Sequence, residues 1–429
     1  MHGHLVKFPL VPRGIVPQLQ RHLAAAPVVV LEGPRACGKT AIGEMLLGLG
    51  AIVTRADLSD PTVLAAARAS PTSFVDNLRT PAFIDEAQLL PELPLAIKRR
   101  VDRDRERGAF VLTGSSRLGR AQLGGSDPLA GRALRLGLWP MTQGELQGKP
   151  VDLVSVLTQS AAASSPALSR RLSGTTSNAP VNHAELIERI RRGGLPNMAG
   201  LVGPVQPLLR GQLAQEYVEG VLYHEIGSRH DRAEMLRMFR YLAASTARIA
   251  NMSSIAKDLN VTRITANERL ASLESSFLVH SLAGHRSSEH RTLTAHPKIH
   301  ATDLGLSAWA ARLGDEPPAA VFGAMVESLV INDLVAQAAW SGQVEAVRHW
   351  RDTGRKLEVD AVLIHRDGKA TAIEVKAGAD VRPDDLKGLR AFLADSAQAH
   401  LGIVFYSGGL ALQLDKRIWA LPISALWTG

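Results

Sequence analysis

Only one cysteine, Cys37, occurs in the 429 residues of this chain. That excludes an intramolecular disulfide and any multi-cysteine metal site, and it fits a reducing compartment. Aromatic residues are scarce at 4%, so aliphatic side chains must fill the cores. The start, Met1-His2-Gly3-His4, has no signal-peptide pattern, and no apolar run reaches the ~20 residues of a membrane span. A cytoplasmic protein without a membrane partner is the expectation. Charge of one sign is only mildly in excess, at +8. This fits a nucleic-acid partner without requiring one, and the runs Lys98-Arg99-Arg100 and Arg189 to Arg192 are short enough to be solvated helix faces. Long polar tracts are also absent, and with 45% hydrophobic residues the chain should be globular. Its length points to roughly two to four domains.

Against these absences stands Gly33-Pro34-Arg35-Ala36-Cys37-Gly38-Lys39-Thr40, which meets every position of the phosphate-cradling pattern G-x-x-x-x-G-K-[ST]. The preceding Pro27 to Leu31 reads as a buried strand, and Thr40 to Leu49 continues as an apolar-faced helix. Glycines let successive backbone N–H groups point inward at phosphate oxygens, and the helix adds its positive end. Lys39 can reach the outer phosphates and the Thr40 hydroxyl can ligate magnesium, so ATP and Mg2+ are the expected ligands. Cys37, inside the loop, reads either as a tolerated small side chain or as a thiol whose modification blocks nucleotide.

Such a loop needs a second, acidic strand. Ala82-Phe83-Ile84-Asp85-Glu86 supplies it, with Asp85 placed to hold magnesium and Glu86 to polarise the attacking water as general base. A further buried strand, Ala109 to Thr113, ends in Gly114-Ser115-Ser116-Arg117. Thr113, Ser115 or Ser116 is positioned to sense the outer phosphate there. Arg117 or Arg132 is a candidate for the positive charge that stabilises phosphoryl transfer, in cis or from a neighbouring subunit.

Phe83 to Gln88, Leu112 to Ser116, Leu129-Ala130-Gly131-Arg132 and Leu138 to Thr142 resemble the AAA-type ATPases of bacteria and archaea that carry a C-terminal domain of unknown function. The resemblance runs nearly end to end. It implies ATP binding, magnesium and hydrolysis, with Gly33 to Thr40 as the loop and Asp85 and Glu86 as the acidic pair. It also implies a homo-oligomer, since a neighbour's arginine would couple assembly to hydrolysis.

Small polar residues between Ser155 and Pro180 read as a linker or insertion. Helical spacing resumes at His183, broken by Gly193-Gly194-Leu195-Pro196, a pattern familiar in the resembled family and read as structural. Ile255 to Thr262, followed by Ile264 to Leu273, looks like a helix-turn-helix, and Phe277-Leu278-Val279 resembles the first strand of a wing. If the second helix met a major groove, Arg263, Thr265, Asn267 and Arg269 would contact bases and phosphates. The other reading of this module is an internal packing or lid element.

The last third holds a second set of carboxylates: Glu327 on an apolar helix, Glu358-Val359-Asp360 in one strand and Glu374-Val375-Lys376 in the next. Their order resembles the PD-(D/E)xK nuclease fold. Leu357 to Ile364 and Ala370 to Val375 read as strands joined by the turn Arg366-Asp367-Gly368-Lys369. Adjacent strands would bring Asp360 beside Glu374, and alternation puts Glu374 and Lys376 on one face. Glu327, Asp360 and Glu374 would then hold Mg2+ or Mn2+ against a phosphodiester, Lys376 would orient the water, and Lys387 would contact phosphates.

The expected architecture is therefore α/β in three parts. Residues 1–150 form a P-loop ATPase domain, 151–182 a linker or insertion, 183–290 a helical and winged-helix region, and 291–429 a nuclease-like domain. The leading expectation is an ATPase acting on nucleic acid, with DNA favoured, and a metal-dependent cutting site at Asp360, Glu374 and Lys376. The alternative is an ATP-driven regulator whose C-terminal fold binds DNA or a protein partner without cutting. A processive helicase is the least attractive reading, because no further motor motif accompanies the loop and the acidic strand.

Overall fold

In the computed structural model the described residues are 10–114, 127–159, 179–201, 206–226, 230–285 and 296–428. Five parallel strands make the first sheet: β1 (Val28–Glu32), β2 (Thr54–Asp57), β3 (Ala82–Asp85), β4 (Phe110–Gly114) and β5 (Ala133–Gly137), in the order β2-β3-β4-β1-β5. The central strands are buried, save for the half-buried Glu32 at the end of β1, which is why they read as apolar runs. Alternation along β1 decides which layer each residue meets. Val28 and Val30 join the core under the helix Leu93–Asp104. Val29 and Leu31 face Ile42 and Leu46 of the helix Lys39–Gly48 and Leu19 and Leu23 of the helix Val16–Ala25. That second core continues into the middle of the chain through Met198, Ala214 and Phe239.

The middle region begins with the helices His183–Arg192 and Gln206–Val221. Next, in chain order, come the helix Arg232–Ala244, β6 (Arg248–Ile249), the helices Met252–Asp258 and Arg263–Ser275, β7 (Val279–Gly284) and β8 (Lys298–Ala301). Asn260 takes the left-handed conformation (φ 54°) between the two short helices, as the turn there requires. The strands pair antiparallel in the order β6-β8-β7.

This ribbon does not end at β7. Ala283 and Gly284 pair in parallel with Arg348 and His349 of β9 (Val344–Asp352), so that the ribbon and the C-terminal strands form one sheet of nine strands. Its further members are β10 (Leu357–His365), β11 (Ala370–Lys376), β12 (Ala399–Tyr406), β13 (Leu412–Asp415) and β14 (Ile418–Pro422), and the order is β13-β14-β12-β11-β10-β9-β7-β8-β6. The helix Ala319–Ser341 packs on one face, and the helix Lys387–Asp395 on the other.

Three expectations change. The boundary expected at residue 291 separates β7 from β8 and so divides the ribbon. Part of the expected linker is core: Leu153, Val154 and Leu157 of the helix Leu153–Thr158 are buried, and Gln337 accepts from the N–H groups of Leu153 and Val154. An apolar stretch of spanning length also exists. The helix Ala319–Ser341 has 23 residues and an 18-residue stretch of mean hydropathy 1.6, but Met325, Val326, Val330 and Leu334 are buried within the protein core.

Candidate functional site

The loop after β1 has the geometry its sequence calls for. Ala36 (φ 54°) and Gly38 (φ 101°) are both left-handed, which turns the intervening N–H groups toward a common centre. Gly33 is required for a different reason: a Cβ there would meet the Leu138 carbonyl oxygen at 2.1 Å. Lys39 is buried and donates to the carbonyls of Gly33 (2.9 Å) and Pro34 (2.7 Å), while Arg35 and Thr40 are exposed. Cys37 is fully buried with Sγ 3.7 Å from the Leu138 carbonyl. It is a packed small side chain, and the reading of an accessible thiol switch does not fit.

Strand register carries the acidic pair to the same edge of the sheet. Leu31 pairs with Thr113, and Ile84 with Leu112, so Asp85 lies level with the end of β1, about 10 Å across two strands. Thr113 donates to Asp85 Oδ1, which also accepts from the Glu86 N–H at 3.2 Å. The other carboxylate oxygen, Oδ2, is buried without a hydrogen-bond partner and lies 3.8 Å from Arg55. An orphaned anionic oxygen on the sheet edge that also carries the Thr40 hydroxyl supplies the kind of hard oxygen donors that suit magnesium. Glu86 sits one residue past the strand in the left-handed region (φ 53°), and its carboxylate accepts from Gln88. The expected phosphate sensor at Thr113 is thus a partner of Asp85 instead. Ser115, Ser116 and Arg117 lie outside the described residues.

Arg132 is corrected for a cis role. It precedes Ala133, which pairs with Val28 at the start of β1, whereas the loop follows Glu32 at its end. Its guanidinium holds Asp102 through two contacts of 2.5 and 3.0 Å, at the opposite edge of the sheet from the nucleotide loop.

Two braces of the loop were not legible in the sequence. Arg13, only 4% exposed at its side chain, donates to the carbonyls of Cys37 (2.8 Å) and Trp139 (2.7 Å) and pairs with the fully buried Glu145 at 3.0 Å. Glu145 in turn accepts from the N–H groups of Gly14 and Thr142, closing a capping box on the helix Gln143–Leu146. From the middle region, the Tyr217 hydroxyl donates to the Arg35 carbonyl at 3.1 Å. Beside Gly38 opens a cavity of about 380 Å³ lined by Leu10, Val11, Met45, Met141, Leu146 and Pro196. Two signals were available: the apolar pair before Pro12-Arg13-Gly14, and the Gly194-Leu195-Pro196 turn. That turn is structural, as expected. Gly193 (φ 63°) approaches Asp303 so closely that a Cβ would lie 2.5 Å from its carboxylate, which accepts from the N–H groups of Gly194 and Leu195.

The expected recognition helix, Arg263–Ser275, exposes Arg263, Ile264 and Asn267, with Thr265 half-buried. Arg269 is corrected: it is buried and pairs with Glu234 at 3.0 Å.

In the C-terminal unit, the antiparallel pair Ala361 and Ile373 brings Asp360 beside β11, where Oδ2 accepts from the Val375 N–H at 2.9 Å. Glu327, from the core helix, and Glu374 complete the expected cluster. Lys376 bonds Glu374 at 2.9 Å and lies 3.7 Å from Asp385, while Lys387 is exposed and pairs with Asp384. The surprise is Lys298 of β8. Its ammonium lies 2.5 Å from Glu327 and 2.9 Å from Asp360, where a divalent ion would have to sit. At ~3 Å and an effective dielectric near 20, a divalent ion beside that ammonium meets repulsion on the order of 10 kcal/mol.

Lysine ammoniums supply positive charge to the cluster from within the chain. Burial first, then Asp360, pushes Glu374 up to about 8, and burial likewise raises Glu327. The ammoniums of Lys298 and Lys376 face this carboxylate cluster directly. Among the described residues, no group of three or more His, Cys, Asp or Glu side chains is arranged to hold a metal. The expected Mg2+ or Mn2+ site at Glu327, Asp360 and Glu374 therefore does not fit the donor set, and no step is derived through it.

Comparison with known proteins matches three stretches. Residues 25–147 match an AAA domain, 183–317 a domain of unknown function (DUF8612) and 322–426 another (DUF4143). Uncharacterised proteins of Mycobacterium tuberculosis and Mycobacterium bovis are each 26% identical, over 97% of this chain and 84% of theirs. Among solved structures, a Walker-type ATPase of Pyrococcus abyssi is 14% identical, covering 69% of this chain and 94% of its own, with a TM-score of 0.41. The Aeropyrum pernix Orc1 protein, solved in complex with DNA, is 15% identical over 71% and 94%, with a TM-score of 0.25. The segment similar to an AAA domain, residues 25–147, holds the loop, Asp85 and Glu86.

Proposed function

We propose that the chain is an ATP-hydrolysing switch that acts on nucleic acid, DNA in the first place, through its middle region. What carries the reading is the alignment of the Gly33–Thr40 loop with Asp85 and Glu86 along one edge of a parallel sheet. In this reading the loop N–H groups and Lys39 bind the phosphates, and the apolar cavity beside Gly38 receives the base. Thr40 and the free oxygen of Asp85 would hold magnesium, which supplies charge neutralisation at the outer phosphates. Glu86 accepts the proton of the attacking water. Tyr217 gives the loop a direct tie to the middle region, so a loop that tightens on phosphate pulls on the helix Gln206–Val221.

The three helices and the β6–β8 ribbon have the element order of a winged helix, and Arg263 and Asn267 stand free at the start of its second short helix. These support contact with phosphates and base edges. A positive group from a second copy belongs to the same reading, with Arg132 as the donor in trans and a homo-oligomer as the working form. One observation favours the alternative of a protein partner: Ile264, on that same exposed face, is 72% exposed.

The test is kinetic. Lys39→Ala abolishes binding of a fluorescent ATP analogue, whereas Glu86→Gln binds it and releases phosphate at least ~100-fold more slowly. Wild-type protein that hydrolyses no ATP, with or without DNA, overturns the proposal.

A further inference from the structure

We infer that Lys298 is the resident cation of the C-terminal acidic cluster, and that Lys298, Glu327 and Asp360 form a metal-free lock fastening the β6–β8 ribbon to the C-terminal sheet. The three groups come from three elements: the middle strand of the ribbon, the core helix and β10. Lys298 is 3% exposed and spans two carboxylates that would otherwise repel each other. The chemistry expected of Glu327, Asp360 and Glu374 needs that position for a divalent ion, and an ammonium fills it from within the same chain.

The rest of the seam points the same way. The helix Ala319–Ser341 is apolar along most of its length, and its polar residues divide: Asp333 and Gln337 accept from the N–H groups of Gln143, Leu153 and Val154, while Glu327, Ser328 and Asn332 find partners on the ribbon side. Ser328 bonds His300 of β8 (2.9 Å) and Thr246, next to β6 (2.8 Å). Asn332 bonds His280 of β7 (2.8 Å) and the carbonyl of Ala301 (2.9 Å). A helix that held a metal with Glu327 would have no need of a ribbon lysine. A helix whose task is to seat the ribbon needs each of these contacts. The consequence is that the C-terminal unit neither binds a divalent ion nor cuts, and that it moves with the ribbon as one body.

The sign of a stability change separates the two chemistries. In a site awaiting metal, the carboxylates repel one another, so neutralising one of them stabilises the metal-free protein. In a lysine-bridged lock, the same change leaves an ammonium under-paired and destabilises it. Melting of the full chain is measured in EDTA without nucleotide. Asp360→Asn is expected to lower the Tm by about 5 °C or more. Glu327→Gln should move it the same way, and serves if the first variant does not fold. MnCl2 at millimolar concentration leaves the Tm unchanged in a Thr40→Val, Asp85→Asn background, where the nucleotide site has lost its metal ligands, and raises it once Lys298→Met is added. A rise in Tm for Asp360→Asn in EDTA overturns the inference, as does Mn2+ binding to the wild-type cluster that Asp360→Asn abolishes. Because nucleotide is absent throughout, these outcomes are independent of whether the chain hydrolyses ATP.

Discussion

Substituting Arg13 by alanine should uncouple the nucleotide loop from its foundation. The guanidinium makes three contacts of 2.7 to 3.0 Å, to the Trp139 carbonyl, the Cys37 carbonyl and the Glu145 carboxylate, and neither charged partner reaches water. Removing it leaves Glu145 as a buried charge with no counter-ion, a loss of about 3–5 kcal/mol. For a domain of this size that lowers the melting temperature by about 10 °C. A second effect falls on binding. The Cys37 carbonyl loses a charge-assisted partner, the loop is no longer pinned in its phosphate-binding shape, and ATP affinity should drop about tenfold. Arg13→Lys keeps the charge but loses the fork that reaches the loop and Glu145 together, so it should fall between. Fluorescence-detected melting and titration with a fluorescent ATP analogue read the two effects separately. A variant that melts within about 1 °C of wild type and binds ATP normally refutes the reasoning. Lost stability with full affinity confines the brace to Glu145.

Acid should loosen the protein through buried histidines. Burial lowers His365 to about 4 and holds His300 well below its ordinary value. Between pH 6.5 and 4 the unfolded chain takes up protons there that the folded chain refuses, so stability falls as pH falls, by up to about 1.4 kcal/mol per pH unit for each group. His365→Gln should flatten the acid limb of a stability-against-pH curve, and an unchanged limb contradicts the assignment. On the exposed helix the two arginines should behave oppositely. Arg269→Ala costs about 1–3 kcal/mol because a buried guanidinium and its bond to Glu234 are removed, whereas Arg263→Ala leaves the melt unchanged and weakens DNA binding, reducing the salt slope by about 1. Equal effects on both measurements by both variants would remove the distinction.

The nucleotide domain was legible because its chemistry is contiguous. Gly33 to Thr40 is one turn of backbone, Asp85 and Glu86 end one apolar run, and parallel pairing alone brings those strand ends to one edge. The cis role for Arg132 misled because position along a strand is invisible without register: it stands just before β5, five residues of sheet away from the loop. Arg269 misled because helical spacing shows which residues share a face, but Glu234, which draws it inward, lies on another helix. The C-terminal strands and their carboxylates fell where periodicity placed them. What periodicity could not show was a lysine far earlier in the chain, on a strand of four residues, reaching across a sheet junction into the same cluster. Arg13 and Glu145 escaped for the same reason, being far apart in sequence and joined only by folding.

The continuity of the nine-stranded sheet also bears on how this protein can be divided. The matched segments part between residues 317 and 322, which suggests a natural place to cut. Yet a fragment ending there would expose the edge of β7 that Arg348 and His349 cover. It would also carry Lys298 without either of its carboxylates. The complementary fragment would begin with an apolar helix stripped of the strands that satisfy its polar residues. Both halves are expected to aggregate when expressed apart and to be soluble when produced together, so the smallest piece of this chain fit for separate study spans the ribbon and the C-terminal sheet as one unit.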